Sequence, residues 1–252
     1  MKKLICSTMV LGLGIVCSQA TPIISESFDV DGALTSYTDW SAFTGNTANP
    51  VQAFDGVATL IQRVGIAGQD VALDFTDQGS TDITYAGFYL TILGGATVSA
   101  TDSRLFGFND DDGSDATGRT FLKATADDYT LGIATDGGAP AQTWATDLSF
   151  DTQYRVVLGY DAGTGQSSLW VDPTSEGDTS IFGGGTTSQI VGNFEMAQRG
   201  DHTADMVIDD LVISATFDEA SLVPEPGTFA LLLLGSVAVF ARRRQFKNAV
   251  NS

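Results

Sequence analysis

Tyr154-Arg-Val-Val-Leu-Gly-Tyr160, Asp161-Ala-Gly-Thr-Gly165 and Gln166-Ser-Ser-Leu-Trp-Val171 are the three consecutive stretches that decide the fold. Two runs of β-branched, aliphatic and aromatic residues flank five residues rich in Asp and Gly. That is the pattern of two antiparallel strands joined by a turn whose glycines supply positive φ. Pro173 has no N–H to donate to a ladder and ends the second strand.

The same signature recurs outward from this hairpin. Residues 52–61, 83–93, 120–124 and 129–133 are rich in β-branched and aromatic residues and bounded by Gly, Asp and Asn, and each reads as a strand. The closing strand is Met206–Phe217, and Phe28 begins its partner at the same sheet edge. Nothing between Thr21 and Leu222 keeps a 3.6-residue period, and no repeat at solenoid or propeller spacing occurs. About ten to twelve strands with turn signals every 8 to 15 residues predict an all-β fold, with two stacked antiparallel sheets favoured over a small barrel.

The order of these features is an opening Ser25-x-x-Phe28-Asp29 strand, the Tyr154–Val171 hairpin and a final Ile208-Asp-Asp-Leu-Val-Ile213 strand. It resembles the concanavalin A-like/laminin-G jelly roll over residues 22–218. The resemblance implies a two-sheet antiparallel jelly-roll sandwich. It also implies that a structural Ca²⁺ on the sandwich flank, frequent among laminin-G-like domains, is to be considered.

Charge narrows the partners. Between Thr21 and Leu222 there are thirty acidic residues, twenty-six of them Asp, against six basic ones, a difference of −24. Repulsion excludes a nucleic-acid partner. It also disfavours acidic polysaccharide or anionic lipid unless divalent cations mediate the contact. The composition, rich in Asp, Gly, Thr and Ser and poor in Lys, reads as extracellular, and equally as a surface kept soluble by charge.

Chemistry is harder to find. A jelly-roll glycoside hydrolase needs two carboxylates about 5 to 9 Å apart with one pKa raised, but the sandwich has only Glu26, Glu176, Glu195 and Glu219 and no Glu-x-Asp-x-Glu strand. Asp209-Asp210 is the nearest approach. Regular alternation would point those two to opposite faces, so an inner-face polar role near the sheet edge is expected of one of them. The lone His202 sits in a polar loop, and no Gly-x-Ser-x-Gly elbow supports a triad.

The loop Asn109-Asp110-Asp111-Asp112-Gly113-Ser114-Asp115 gathers hard oxygen donors suited to Ca²⁺, with Asn109, Asp110, Asp112 and Asp115 as candidate ligands. It is not an EF-hand, because Phe108 stands where the first ligand must be, and an acidic Gly-containing loop is equally a good turn. For glycan contact the candidates are Trp40 and Trp144, which adjoin polar loops. Trp170, between Leu169 and Val171, reads as core or as an outer apolar patch.

The two ends address the protein. Lys2-Lys3, the apolar stretch Leu4–Val16 and Ser18-Gln19-Ala20 form a secretory signal peptide over 1–20, cleaved between Ala20 and Thr21. Both cysteines, Cys6 and Cys17, leave with it, so a disulfide or thiolate site is not expected in the mature chain. Export then runs through the Sec translocon.

At the other end, after a linker over 219–227, Val223-Pro224-Glu225-Pro226 should be extended, because each Pro restricts itself and its predecessor. Residues 228–241 carry no charge and form a transmembrane helix, and Arg242-Arg243-Arg244 opens a basic cytoplasmic tail over 242–252. Gly227–Ala241 spans roughly 22 Å against a hydrocarbon core of about 30 Å. The arginine stems extend that reach by snorkelling.

This order resembles the PEP-CTERM sorting domain of Gram-negative bacteria that make extracellular polysaccharide, over residues 222–247. The resemblance implies recognition of Pro224, Glu225 and Pro226 by an exosortase, a membrane-embedded processing enzyme, with Arg242, Arg243 and Arg244 as the membrane stop. The implied route is an inner-membrane precursor, then cell surface or extracellular matrix.

The sequence thus reads as an exported, non-enzymatic surface or matrix protein whose sandwich domain, residues 21–218, is structural or binds glycan, possession of a jelly-roll glycoside hydrolase activity being the rival. Replacing Leu232 and Leu233 with Asp is expected to add about 2.5 kcal/mol or more each to insertion and to release the protein from membranes. Fractionation of the double variant checks this, and retention with the membranes would sink the anchor assignment.

Overall fold

The hairpin forms with the expected turn: Gln153–Asp161 pairs antiparallel with Gln166–Val171, Asp161 opposite Gln166, and Gly165 takes φ +67° at the turn. It belongs to a computed structural model that describes residues 21–221 apart from 30, 38, 46–48, 61–67, 95–97, 111–115, 186–188 and 199–203. The signal peptide with Ala20, the Pro224-Glu225-Pro226 motif, the transmembrane segment, the Arg242–Arg244 stop, His202, Asp112 and Asp115 lie outside the described residues; Thr21 is exposed at their start.

Among the described residues the strands are β1 (Ile24–Glu26), β2 (Gly32–Ala33), β3 (Trp40–Gly45), β4 (Gln52–Phe54), β5 (Val57–Leu60), β6 (Gln69–Asp74), β7 (Ile83–Ile92) and β8 (Ser103–Asn109). There follow β9 (Ala116–Ala124), β10 (Tyr129–Ala134), β11 (Gln142–Thr143), β12 (Gln153–Asp161), β13 (Gln166–Val171), β14 (Ile181–Gly183), β15 (Asn193–Met196), β16 (Met206–Ser214) and a short helix α1 (Phe217–Ser221). The first sheet runs β14-β13-β12-β7-β16-β5-β4-β2, with β1 also on β16; the second runs β11-β10-β9-β8-β15-β6-β3. All the strand pairings are antiparallel. The expected all-β, two-sheet antiparallel sandwich is what the chain builds.

Period-two alternation puts one set of side chains from each sheet into a shared core. Phe88 from β7 meets Phe106 at 4.9 Å between ring centroids and Phe194 at 5.8 Å, and Phe108 lies 5.9 Å from Phe194. These rings, all at most 1% exposed, join the first sheet to the second.

Four expectations are corrected. Residues 52–61 are not one strand: Asp55-Gly56, at φ +50° and +82°, turns the chain between β4 and β5. Both central residues in the left-handed region make a type I′ hairpin, for which Asp-Gly is suited. Phe28 does not begin a strand; it follows β1 at φ +52°, fully buried, with its N–H on Glu26 Oε1 at 2.7 Å. The closing strand is central rather than marginal, with β7 on one side and β5 and β1 on the other. It ends at Ser214, and α1 crosses the boundary expected at 218, with Ala220 wholly buried on the sandwich.

Because the phenylalanine cluster spans both sheets, Phe194→Ala is expected to lower unfolding stability by about 3–5 kcal/mol. Phe54→Ala, at a side chain 61% exposed, should change it by no more than about 0.5 kcal/mol. Denaturant titration of the two variants checks the contrast.

Candidate functional site

The face of the first sheet turned away from the core carries unusual side chains for an outer surface. Tyr85, Gly87 and Tyr89 come from β7, Arg155, Val157 and Gly159 from β12, and Ser168 and Trp170 from β13, set side by side by the strand register. Part of this face is roofed by α1. Phe217 meets Tyr85 edge-on at 5.7 Å and Trp170 at 5.0 Å, and with Val157 and Ala220 these residues form a second small apolar cluster. A methyl group at Gly87 would lie 1.7 Å from the Ala220 carbonyl oxygen, so the helix seats only because that position has no side chain.

Arg155 fixes the arrangement. It is 3% exposed; Nη1 donates to the Asp210 carbonyl at 3.2 Å, Nη2 donates to the Ala220 carbonyl, and the guanidinium lies 4.9 Å from the centre of the Tyr89 ring. Burial draws its pKa below the ordinary arginine value, and Tyr89, Asp210 and Asp209 oppose that.

The Asp210 carbonyl reaches Arg155 through a bulge in β16: Asp209 pairs with Tyr89 and Val212 with Gly87, leaving Asp210 and Leu211 opposite one residue, with Asp210 at φ +47°. The alternation expected of Asp209 and Asp210 therefore fails. Instead of an inner-face role at the edge, both carboxylates act on Arg155 and Tyr89 from the outer face. Burial raises the Asp209 pKa, and the neighbouring Asp210 charge raises it further.

Beside α1, towards β14, the face opens into a pocket of about 260 Å³. Phe182 supplies an aromatic wall, the rings of Tyr85 and Trp170, each only 5% exposed, form a floor that shows little surface, and Asp161, Gln166, Ser168, Glu176 and Ser180 supply polar atoms. Gly159 lies beneath: a Cβ there would meet the Tyr85 ring at 3.1 Å and the Trp170 ring at 3.2 Å, so its absence lets both rings lie close to the strand.

The wall opposite is the segment after β13. Tyr85 Oη donates to Glu176 Oε1 at 2.6 Å and Trp170 Nε1 donates to the Glu176 carbonyl at 3.3 Å. Within the segment, Asp178 accepts from the Thr174 and Ser175 backbone N–H groups at 2.6 and 3.0 Å, which lowers its pKa. Burial, and then the bond to Glu176, push the Tyr85 hydroxyl well above the usual tyrosine range, so it remains a donor. Asp161 closes the hairpin turn, accepting from Gly163 N at 2.8 Å, Thr164 N at 3.2 Å and Thr164 Oγ1 at 2.8 Å. Phe182 projects from the edge strand at 41% exposure.

The residues singled out from sequence fall elsewhere. Trp40 is 4% exposed, packed 6.2 Å from Phe28, and its indole N–H donates to Glu26 Oε2 at 3.2 Å. Burial leaves it no ring face for a sugar, and the expectation is corrected. Trp144 is half-buried against the main core, away from the pocket lining.

Asn109, at the end of β8, is fully buried with its Nδ2 donating to Glu195 Oε2 at 2.9 Å; Glu195 also pairs with Arg104, which lies 3.9 Å from Asp70. The Asp110 carbonyl accepts from Asn193 Nδ2 at 2.9 Å. Among the described residues no group of three or more His, Cys, Asp or Glu side chains is placed to hold a metal ion. Sequence reading missed the pocket itself, because its lining comes from β7, β12, β13, β14 and the segment after β13, and no short window of sequence holds it.

Residues 222–245 match the PEP-CTERM protein-sorting motif, so the chain carries that sorting signal, which marks an exported protein. No curated protein matches the chain. Among solved structures, a carbohydrate esterase, vb_24B_21, from the Shiga toxin-encoding bacteriophage phi24B aligns with a TM-score of 0.51 at 13% identity, over 77% of this chain and 97% of that one. The metal-free exoplasmic/lumenal domain of VIP36 aligns with a TM-score of 0.50 at 11% identity, over 78% and 94%. Both likenesses are of fold, and they make the described domain a jelly-roll-like β-sandwich. A sialidase also aligns, at a TM-score of 0.49 and 13% identity over 76% of this chain, which spans only 19% of the sialidase's length.

Arg155→Met is expected to orphan the Asp210 and Ala220 carbonyls, costing about 1–3 kcal/mol for each buried acceptor. The helix should loosen first, so tryptophan emission should shift to the red below the main unfolding transition. Emission that keeps its wild-type position until global unfolding would show that Arg155 does not hold α1.

Proposed function

We propose that the described domain is a non-catalytic glycan-binding module on an exported protein sorted to the cell surface or matrix. The observation that carries this reading is the pocket of about 260 Å³ with the exposed Phe182 ring on one wall, Tyr85 and Trp170 at its floor and several hydrogen-bonding side chains around it. Sugars present apolar C–H faces and hydroxyl edges, and a site of aromatic surface with a few fixed polar groups suits both. The Tyr85–Glu176 bond sets the wall before any ligand arrives, which reduces the ordering cost of binding.

Two carboxylates line the same pocket, Asp161 and Glu176, and they are the observation that favours the rival hydrolase. Their surroundings speak for binding. A general acid needs an apolar shield to stay protonated, whereas Glu176 is exposed and Asp161 is tied into its own turn by three donors.

For the tail, the proposed partner is an exosortase-type enzyme that recognises Pro224-Glu225-Pro226 after Sec export, with extracellular polysaccharide as the ligand met at the destination. A Ca²⁺ requirement through Asn109, Asp110, Asp112 and Asp115 is not part of this reading, since two of the four candidate ligands, Asp112 and Asp115, lie outside the described residues.

The test uses the full-length protein in a detergent without a sugar headgroup, titrated with neutral and amino-sugar oligosaccharides and followed by tryptophan fluorescence. Binding should weaken by about tenfold in Phe182→Ala, the loss of one stacking wall being worth roughly 1–1.5 kcal/mol. No release of reducing ends is expected on prolonged incubation. Turnover abolished by Asp161→Asn or Glu176→Gln would replace binding with hydrolysis.

A further inference from the structure

We propose that the pocket selects saccharides bearing a free ammonium group, that is, amino sugars lacking the N-acetyl substituent, over neutral and acidic ones; this rests on the glycan-binding reading above. Both charged side chains in the lining, Glu176 and Asp161, are negative, and among the described residues no Lys, Arg or His lines the pocket. A uronate or sulfated sugar would enter against these charges and against a mature domain with an excess of twenty-four negative charges. A ligand ammonium would meet attraction from both.

The geometry gives the charge a place to sit. Glu176 is oriented by Tyr85 Oη on Oε1, and among the described residues no donor meets its other oxygen. Asp161 has its oxygens engaged by Gly163 and Thr164 and contributes field rather than contact. Phe182, 41% exposed, borders the same space, and an aromatic face attracts a cation through its quadrupole. A charge-assisted hydrogen bond to Glu176 together with the exposed Phe182 face is a pairing that an acetamide or hydroxyl at the same sugar position cannot reproduce.

The probes are β-1,4-linked trimers of glucosamine, N-acetylglucosamine and glucose, titrated into the full-length protein at fixed ionic strength. The glucosamine trimer is expected to bind about tenfold tighter than the other two. Glu176→Gln should bring all three within about twofold, because it removes the charge while its amide carbonyl still accepts from Tyr85. An Asp127→Asn variant, remote in sequence and outside the lining, controls for general surface charge and should leave the preference intact.

Equal or tighter binding of the uncharged trimers, lost in Phe182→Ala, would overturn the ammonium preference and leave the glycan reading standing. Glucosamine binding that survives both Glu176→Gln and Phe182→Ala would mean adsorption to an acidic surface and overturn the proposal. No binding of any trimer would overturn the proposal and the glycan reading together.

Discussion

A guanidinium taken out of water must be surrounded by acceptors, and the outer face of the first sheet is organised around that requirement at Arg155. The strand carrying it cannot supply them, because its own carbonyls are spent on the ladder. Acceptors come instead from the bulge in β16, which delivers the Asp210 carbonyl, and from the end of α1, which delivers that of Ala220. The bulge exists because Asp210 tolerates a left-handed conformation, and the helix seats because Gly87 has no side chain. Four distant parts of the chain thus meet at one cation, and removing any of them leaves either a buried charge or a buried carbonyl unmet.

The pocket is a by-product of that clamp. With α1 fixed, Phe217 fills the side of Tyr85 and Trp170 nearest the helix, and the other side stays open towards β14. The two rings therefore serve twice, as packing partners for the helix and as the floor of the cavity. The main core, by contrast, is an ordinary two-sheet interior in which Phe88, Phe106, Phe108 and Phe194 interlock across the layers.

Local patterning made the sandwich readable. The Tyr154–Val171 hairpin could be drawn from its glycines and β-branched residues, and the Pro-Glu-Pro tail from its composition, because both signals are contained within a short window. The turn at Asp55-Gly56 is equally local, since that dipeptide favours a type I′ hairpin when apolar runs flank it, and it falls inside the single strand expected over 52–61. The pocket was not readable, because Tyr85, Trp170, Glu176 and Phe182 come together only through register and through the docking of α1. Trp40 shows the reverse error: polar neighbours in sequence suggested a surface residue, while Phe28 and Glu26, contacts made through the fold, bury it. Alternation failed at Asp209-Asp210 for a related reason, since a bulge is invisible to a period of two.

The docking of α1 also acts as a leash. Its last residue, Ser221, is seven positions before Thr228, where the expected transmembrane segment begins. Seven residues reach at most about 25 Å even when fully extended. While the tail is held in a bilayer, the point where α1 leaves the sandwich stays within that radius of the lipid, and the pocket on the same face is confined to a thin layer above it. Severing the tail near the Pro-Glu-Pro motif would lift that confinement, so the same pocket would sample the envelope in one state and the surrounding matrix in the other.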